Sequence, residues 1–290
     1  MNILIKRQFS VFSRALHENP LGLPRINRQN TKLPVKHVLP NVKKVVLVSS
    51  GKGGVGKSTV AANLAIALRN SNLNVGVLDA DIFGPSIPKL FNLKGEPRLS
   101  NDGKLLPMIN YGIQTMSMGY LLPSEDNPVV WRGAMVQKAT QQLLFDVAWS
   151  NLDLLIVDMP PGTGDVQLTM SQVLKIDGAV IVSTSQDLAL LDVKKGIAMF
   201  QKVNVPIIGL VENMSVFVCP NCNHEEHLFG QDGVLNQSDR LGIEFLGSIP
   251  LNRQICNSSD EGFPVALDKD SKLGTLYGSI ASKVKNSVNA

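Results

Sequence analysis

Cysteine is scarce in this chain of 290 residues: there are three, an odd number, which argues against a disulfide scaffold and suits a reducing compartment. Long apolar runs are missing as well. None approaches the roughly 18 to 20 residues that span a bilayer, so no stable membrane span is expected. There is no internal repeat and no low-complexity tract. Acidic residues are absent before Glu18. What remains is ordinary for a soluble protein: 44% hydrophobic and 18% charged residues can bury a substantial core. The length suits one large α/β domain with a tail.

The charge is unevenly placed. Residues 1–44 hold nine Lys or Arg against Glu18, which leaves nineteen bases and twenty-three acids, a net of −4, for residues 45–290. A body of that sign has no general affinity for nucleic acid. The first segment, residues 1–19, mixes Ile3, Leu4, Ile5, Phe9, Val11 and Phe12 with Lys6, Arg7, Arg14 and serines. It reads as a mitochondrial transit peptide, with Arg7-Gln8-Phe9-Ser10 similar to a matrix-peptidase site. The alternative is a basic arm. A secretory signal fits less well, because no uninterrupted apolar core or small-residue cleavage site follows the bases. Residues 20–43, with Pro20, Pro24, Pro34 and Pro40, read as an extended linker in which His37 is incidental, as His17 is in the leader.

From residue 44 to 290 the pattern alternates. "VVLVSS" is a β-branched run of the kind buried on both faces of a parallel sheet, and "KSTVAANLAIALRN" has apolar residues at helical spacing. "NVGVLDAD", "LDLLIVD", "GAVIVST", "PIIGLVEN" and "EFLGSIP" read as strands. Helices are expected over 133–148, 187–202 and about 271–288. This predicts an α/β, doubly wound and mostly parallel sheet with helices on both faces.

Gly51-Lys52-Gly53-Gly54-Val55-Gly56-Lys57-Ser58 satisfies the phosphate-loop pattern G-x-x-x-x-G-K-[ST] between a predicted strand and a predicted helix. The glycines let backbone N–H groups turn inward, and the helix N-terminus adds partial positive charge. Lys57 is placed to reach the β- and γ-phosphates, Ser58 to ligate Mg²⁺, and Thr59 to bond a further phosphate oxygen. A loop of this kind needs one lysine, so Lys52 is surplus. Two strands end in carboxylates, Asp79-Ala80-Asp81 and Asp158, at the edge where open α/β sheets bind ligands. Pro160-Pro161, Gly162 and Gly164 then form a stiff and flexible loop suited to sensing a nucleotide.

The second chemical signal is "CPNCNHEEH". Cys219 and Cys222 place two thiolates within reach of one metal, and His224 and His227 could complete a zinc site, although four ligands within nine residues are crowded. A redox Cys-x-x-Cys is a third option, though that motif usually opens a helix in another fold. Cys256, without a cysteine partner nearby, is expected to be a buried small hydrophobe. Trp131 and Arg132 are either motif residues or a core tryptophan beside a paired arginine.

Taken together, the doubled-lysine loop, the Asp-Ala-Asp strand end and "DMPPGTGDVQLT" resemble the deviant Walker A ATPases. That group includes the nitrogenase iron protein, the MinD-type partition ATPases and the Mrp-type iron–sulfur carriers. "GPSIP", "WRG", "ENMS", "CPNC" and "IPLNRQI" narrow the resemblance to the Mrp-type branch, over residues 21–284. The basic leader and the extended Cys/His pattern are most similar to its mitochondrial members, which serve respiratory complex I assembly. The resemblance implies that Lys52, Lys57 and Asp81 are catalytic. Lys52 would cross a homodimer interface to the partner's phosphates, and Asp81 would orient the attacking water. ATP would be held by residues 51–59 (Gly51, Lys52, Gly53, Gly54, Val55, Gly56, Lys57, Ser58, Thr59), and Asn213 would hydrogen-bond the adenine. Ser58, Asp79 and Asp158 would serve Mg²⁺. Cys219 and Cys222 of two protomers would jointly hold a bridging [4Fe–4S] cluster, carried on an insert near 214–231.

The implied activity is ATP-dependent carriage of that cluster in the mitochondrial matrix, from the upstream assembly machinery to apoproteins such as complex I subunits. The alternatives are a MinD-type membrane-cycling ATPase, whose C-terminal helix would carry the stripe Leu273, Leu276, Ile280, Val284, and a zinc-binding P-loop metallochaperone. A reductase like the nitrogenase iron protein shares only fold and nucleotide motifs. One departure is Ser185 in Ser183-Thr184-Ser185-Gln186-Asp187, where relatives have proline. Its loss is expected to loosen that loop.

Overall fold

Parallel strands rich in Val, Ile and Leu form the middle of the molecule because they can be covered on both faces. The structure, a computed structural model, describes residues 36–121 and 133–290, without the side chains of residues 133–137 and 165. The leader, the linker up to residue 35, and Trp131 and Arg132 lie outside the described residues.

The sheet contains β1 (Val42–Ser49), β2 (Val75–Asp79), β3 (Met108–Asn110), β4 (Ile113–Ser117), β5 (Leu152–Asp158), β6 (Gly178–Ser183), β7 (Ile207–Val218), β8 (Glu225–Glu226) and β9 (Phe245–Leu251). Its order is β3-β4-β2-β5-β1-β6-β7-β8, with β9 also on β7. Only the β3–β4 and β7–β8 pairs are antiparallel. The helices are α1 (Lys57–Asn70), α2 (Ile87–Leu90), α3 (Gly133–Phe145), α4 (Asp165–Val173), α5 (Asp187–Lys202), α6 (Gly233–Leu241), α7 (Arg253–Glu261) and α8 (Lys272–Val288).

Alternation along β1 shows the two layers. Val46 and Val48 join a core with α1 and α8, whereas Val45 and Leu47 join a core with α3, α4 and α5. The expected doubly wound sheet with helices on both faces is therefore present. Residues 60–68 of α1 are buried on every side, so this helix lacks the usual polar face. In α8 the residues Leu273, Ile280 and Val284 are buried in the first core, and only Leu276 of the expected stripe is exposed. Among the described residues no helix is long and apolar enough to cross a membrane.

Several expectations need correction. Residues 36–41 are not free linker: His37 donates its N–H to Val173 O, accepts from Lys175 N–H, and sets its ring edge-on to Phe145 at 5.5 Å, while Leu39 is buried. Cys256 is exposed, because α7 is a polar helix that buries none of its side chains. β7 does not stop at Asn213 but runs five residues further, to Val218. The β3–β4 hairpin, α4, α6 and α7 are too short or too polar to stand out in the sequence.

Close packing between β7 and β9 sets a test of this architecture. A methyl group on Gly209 would lie 2.6 Å from Glu244 O and 2.6 Å from Leu246 Cγ. Gly209→Ala is expected to destabilise the fold by about 1–3 kcal/mol, the usual cost of overpacking, read as a lower urea midpoint; an unchanged midpoint contradicts the packing.

Candidate nucleotide site and cysteine hairpin

Strand register assembles the nucleotide site. β5 lies between β2 and β1, so Asp79 and Val48 are both aligned with Asp158. Two strand-end carboxylates and the start of the glycine loop thus meet at one edge of the sheet. The loop needs its glycines for two separate reasons. Gly56 adopts φ +80° at the start of α1, and a Cβ there would sit 2.2 Å from Asn213 Nδ2. A Cβ on Gly51 would strike the backbone of α5 at Asp192, 2.5 Å away. Asn213, on β7, donates from Nδ2 to Val55 O at 2.8 Å and so props the loop from behind.

Lys57 and Asp158 form a buried ion pair, Lys57 Nζ donating to Asp158 Oδ1, with Ser58 Oγ 3.1 Å from the same ammonium. The other oxygen, Asp158 Oδ2, is buried and has no hydrogen-bond partner. Burial pushes the Asp158 carboxyl up, and the Lys57 charge opposes it. A buried carboxylate oxygen left open beside the Ser58 hydroxyl fits a hard cation or its water.

Asp79 is different. Its Oδ2 accepts from the backbone N–H of Ser86 and of Ile87, both at 3.1 Å, and from Ser117 Oγ at 3.0 Å, while Oδ1 accepts from Asp81 N–H at 3.1 Å. The carboxylate therefore fastens the loop from Ala80 to Ile87 to the sheet. Burial, and next the neighbouring Asp158, raise its pKa to about 7. Asp81, half buried, accepts from Gly84 N–H at 3.3 Å and faces the glycine loop across an open cleft of about 250 Å³. Lys52, Lys57, Ser58 and Thr59 line the same cleft. Lys52 is exposed and pairs with no carboxylate among the described residues. The structure thus gathers Lys52, Lys57, Ser58, Thr59 and Asp81 at the cleft, and sets Asp158, Asp79, Val55 and Asn213 behind it.

The cysteines occupy the tip of a hairpin that continues β7. Phe217 pairs with Glu226 and Val218 with Glu225, so Cys219 and Cys222 lie in the connecting turn. The turn is closed by Cys219 N–H to His224 O and Asn223 N–H to Cys219 O, both 2.9 Å. Backbone N–H groups of Cys222 and Asn221, and then the Cys222 side chain, hold the Cys219 thiol below the usual cysteine range. Neither histidine turns toward the sulfurs as a ligand. His227 Nδ1 is 3.0 Å from Ser215 O, and His224 Nε2 is 3.5 Å from Glu226 Oε2. Among the described residues no group of three or more His, Cys, Asp or Glu could hold a metal ion. Within one chain the hairpin offers two thiols.

Some functional contacts escape sequence reasoning. Ser117 reaches Asp79 only because β4 pairs with β2 in the register Asp79 to Ser117. Gln167 donates to Pro160 O and ties the Pro160–Gly164 loop to α4. Ser185 does not loosen its loop. It is buried, donates to Glu212 on β7 and accepts from Val234 N–H at 3.2 Å, so it joins three elements.

Glycine loop, buried lysine, strand-end carboxylates and sheet order together define a P-loop NTPase. Residues 41–285 match the ParA-group family described as "NUBPL iron-transfer P-loop NTPase", and the chain belongs to that family. It is 53% identical over 255 residues to the mouse "iron-sulfur cluster transfer protein NUBPL", covering 87% of this chain and 80% of the relative. The Arabidopsis thaliana "iron-sulfur protein required for NADH dehydrogenase, mitochondrial" is 51% identical over 246 residues, 84% of this chain and 76% of that one. Among solved structures, an Archaeoglobus fulgidus nucleotide-binding protein in complex with ADP is similar at TM-score 0.69 and 38% identity, covering 80% and 90% of the two chains. Pyrococcus furiosus MinD, at TM-score 0.62 and 20% identity over 84% and 99% of the chains, shares the fold.

The raised pKa of Asp79 has a measurable sign. Between the unfolded value of 3.8 and the folded value of about 7 the native state holds a proton that the unfolded chain has lost. Its stabilising contribution is full below pH 3.8 and is lost as pH rises to about 7. Nucleotide-free Asp79→Asn protein is expected to lose less stability than wild type across that window in urea titrations. Parallel pH profiles would contradict the burial of a neutral Asp79.

Proposed function

We propose that this protein is an ATP-dependent iron–sulfur cluster carrier that acts as a homodimer in the mitochondrial matrix. Its cargo is a [4Fe–4S] cluster bound by Cys219 and Cys222 of two protomers, received from the upstream assembly machinery and delivered to apoproteins, among them subunits of respiratory complex I. The observation that carries this reading is the hairpin itself. Two thiols, Cys219 half-buried with a lowered pKa and Cys222 exposed, sit just past the end of the strand that props the phosphate loop. Clusters prefer four thiolates, so two per chain make half a site.

The nucleotide chemistry follows from the charges. Lys57 would turn from Asp158 to the β- and γ-phosphates, and Asp158 and Ser58 would hold Mg²⁺ and its waters. The metal, when bound, neutralises phosphate charge. Asp79 keeps the loop bearing Asp81 in place, and Asp81 orients the attacking water. Lys52 reaches the phosphates of the partner protomer, and Asn213 senses the nucleotide through the loop and the adenine. Hydrolysis times release, because both half-sites lie on one two-fold interface and small rotations alter both. The burial of Leu273, Ile280 and Val284 weighs against a membrane-cycling role for α8.

Anaerobically purified protein is expected to contain about four irons and four sulfides per dimer, the stoichiometry of one shared cluster. Cys219→Ser/Cys222→Ser protein should contain none. Stoichiometric zinc without sulfide would overturn the reading.

Lys52→Ala is expected to retain ATP binding through Lys57 while nucleotide no longer alters the rate of cluster transfer. Full nucleotide-dependent transfer by that variant would remove Lys52 from the mechanism.

A further inference from the structure

β7 carries Asn213, in contact with the phosphate loop, and leads into the turn that begins at Cys219, six positions later. A continuous strand would connect them stiffly, but this one is interrupted. Met214 adopts φ +57°, a left-handed conformation unusual for a non-glycine residue, and the β7–β9 register shifts between Asn213 and Phe217. The bulge takes residues 214–216 out of the ladder with β9, while β6 pairs with β7 only as far as Glu212. Ser215 is held there by its side chain, Oγ donating to Ile249 O at 3.2 Å, and its own carbonyl is taken by His227 Nδ1. A carbonyl oxygen can only accept, so Nδ1 carries the hydrogen and the tautomer is set.

His227 lies on the return limb of the cysteine hairpin, one residue beyond β8. The outgoing limb rejoins β9 at Phe217, opposite Leu251, whereas the return limb is otherwise held through the two-residue β7–β8 pairing at the surface. The His227 bond closes a chain of short contacts: Val55 O to Asn213 Nδ2, along the backbone to Ser215, across to His227, and back through Glu226 and Glu225 to the turn holding Cys219 and Cys222.

We propose that His227 is a positioning residue that makes the cysteine hairpin move as one body with the bulged segment of β7, so that the nucleotide state of the phosphate loop reaches the thiols. The role in cluster release rests on the carrier reading; the mechanical link from loop to hairpin does not. A left-handed, unpaired bulge is the place in a strand where two arrangements are closest in energy, and a tie on one side decides which limb follows it. Without the imidazole the return limb keeps only the short surface pairing with β7, and displacement at Asn213 dissipates in the bulge.

The test uses the full chain, cluster-free, as wild type, His227→Ala and His227→Asn, with amide hydrogen exchange of residues 216–229 measured with and without Mg²⁺·ADP. Asparagine keeps a donor near the position of Nδ1. Wild type is expected to change its hairpin exchange on nucleotide binding, His227→Ala to lose that response while still protecting residues 51–59, and His227→Asn to recover it. The proposal is overturned if the wild-type hairpin ignores the nucleotide, if His227→Ala responds as wild type does, or if asparagine fails to restore a response that alanine removed. None of these outcomes depends on a bound cluster. Anaerobic transfer from loaded protein to a chelator then reads the functional link, with nucleotide dependence expected to be lost in His227→Ala and kept in His227→Asn.

Discussion

The ion pair between Lys57 and Asp158 is the interaction on which the rest of the site depends. Both groups are buried, and removing one partner of such a pair commonly costs about 3–5 kcal/mol because the other charge is left without compensation. An empty phosphate loop would have that problem without Asp158, since Lys57 is buried. Phosphate solves it in a different way. If the ammonium turned to a phosphate, Asp158 would become the uncompensated group, and its open Oδ2 would suit a divalent cation. The proposed binding is thus an exchange of partners among buried charges, which would favour nucleotide and metal together over either alone.

Sheet order makes this exchange visible to other parts of the chain. Asp158 ends the strand between β1 and β2, so it stands next to Asp79 and next to the root of the glycine loop. Asp79 converts its position into control of the loop containing Asp81, through three backbone N–H groups and Ser117. On the other side, Asn213 connects the loop to β7, which runs on into the cysteine hairpin. Lys52 stays outside this internal wiring: it is exposed and pairs with no carboxylate among the described residues. In the proposed homodimer a second protomer would supply what Lys52 and the two-thiol half-site lack.

Much of this was legible in the amino-acid order. Buried parallel strands announce themselves as runs such as VVLV and LLIV, because covering both faces demands apolar residues at every position. The glycine loop is legible because its backbone geometry admits few alternatives. Contacts set by register were not: Ser117 gives no sign of serving Asp79, and Asn213 faces the loop only once β7 is placed. Cys256 misled because burial of free cysteine is a tendency, and a helix of Arg, Gln, Asn, Ser and Asp overrides it. Ser185 misled in another way. Proline stiffens a loop through its ring, but a buried serine holds the same loop through Glu212 and Val234. The length of β7 was hidden by Met214 and Ser215, whose bulge breaks the pattern while the strand continues.

Native mass spectrometry of the anaerobic holoprotein shows whether one chain holds only half of the cluster site. A dimer whose excess mass equals one [4Fe–4S] cluster is expected, with monomers free of iron once a chelator has removed it. A monomer that retains iron and sulfide, or a dimer carrying one cluster on each chain, would contradict the shared site.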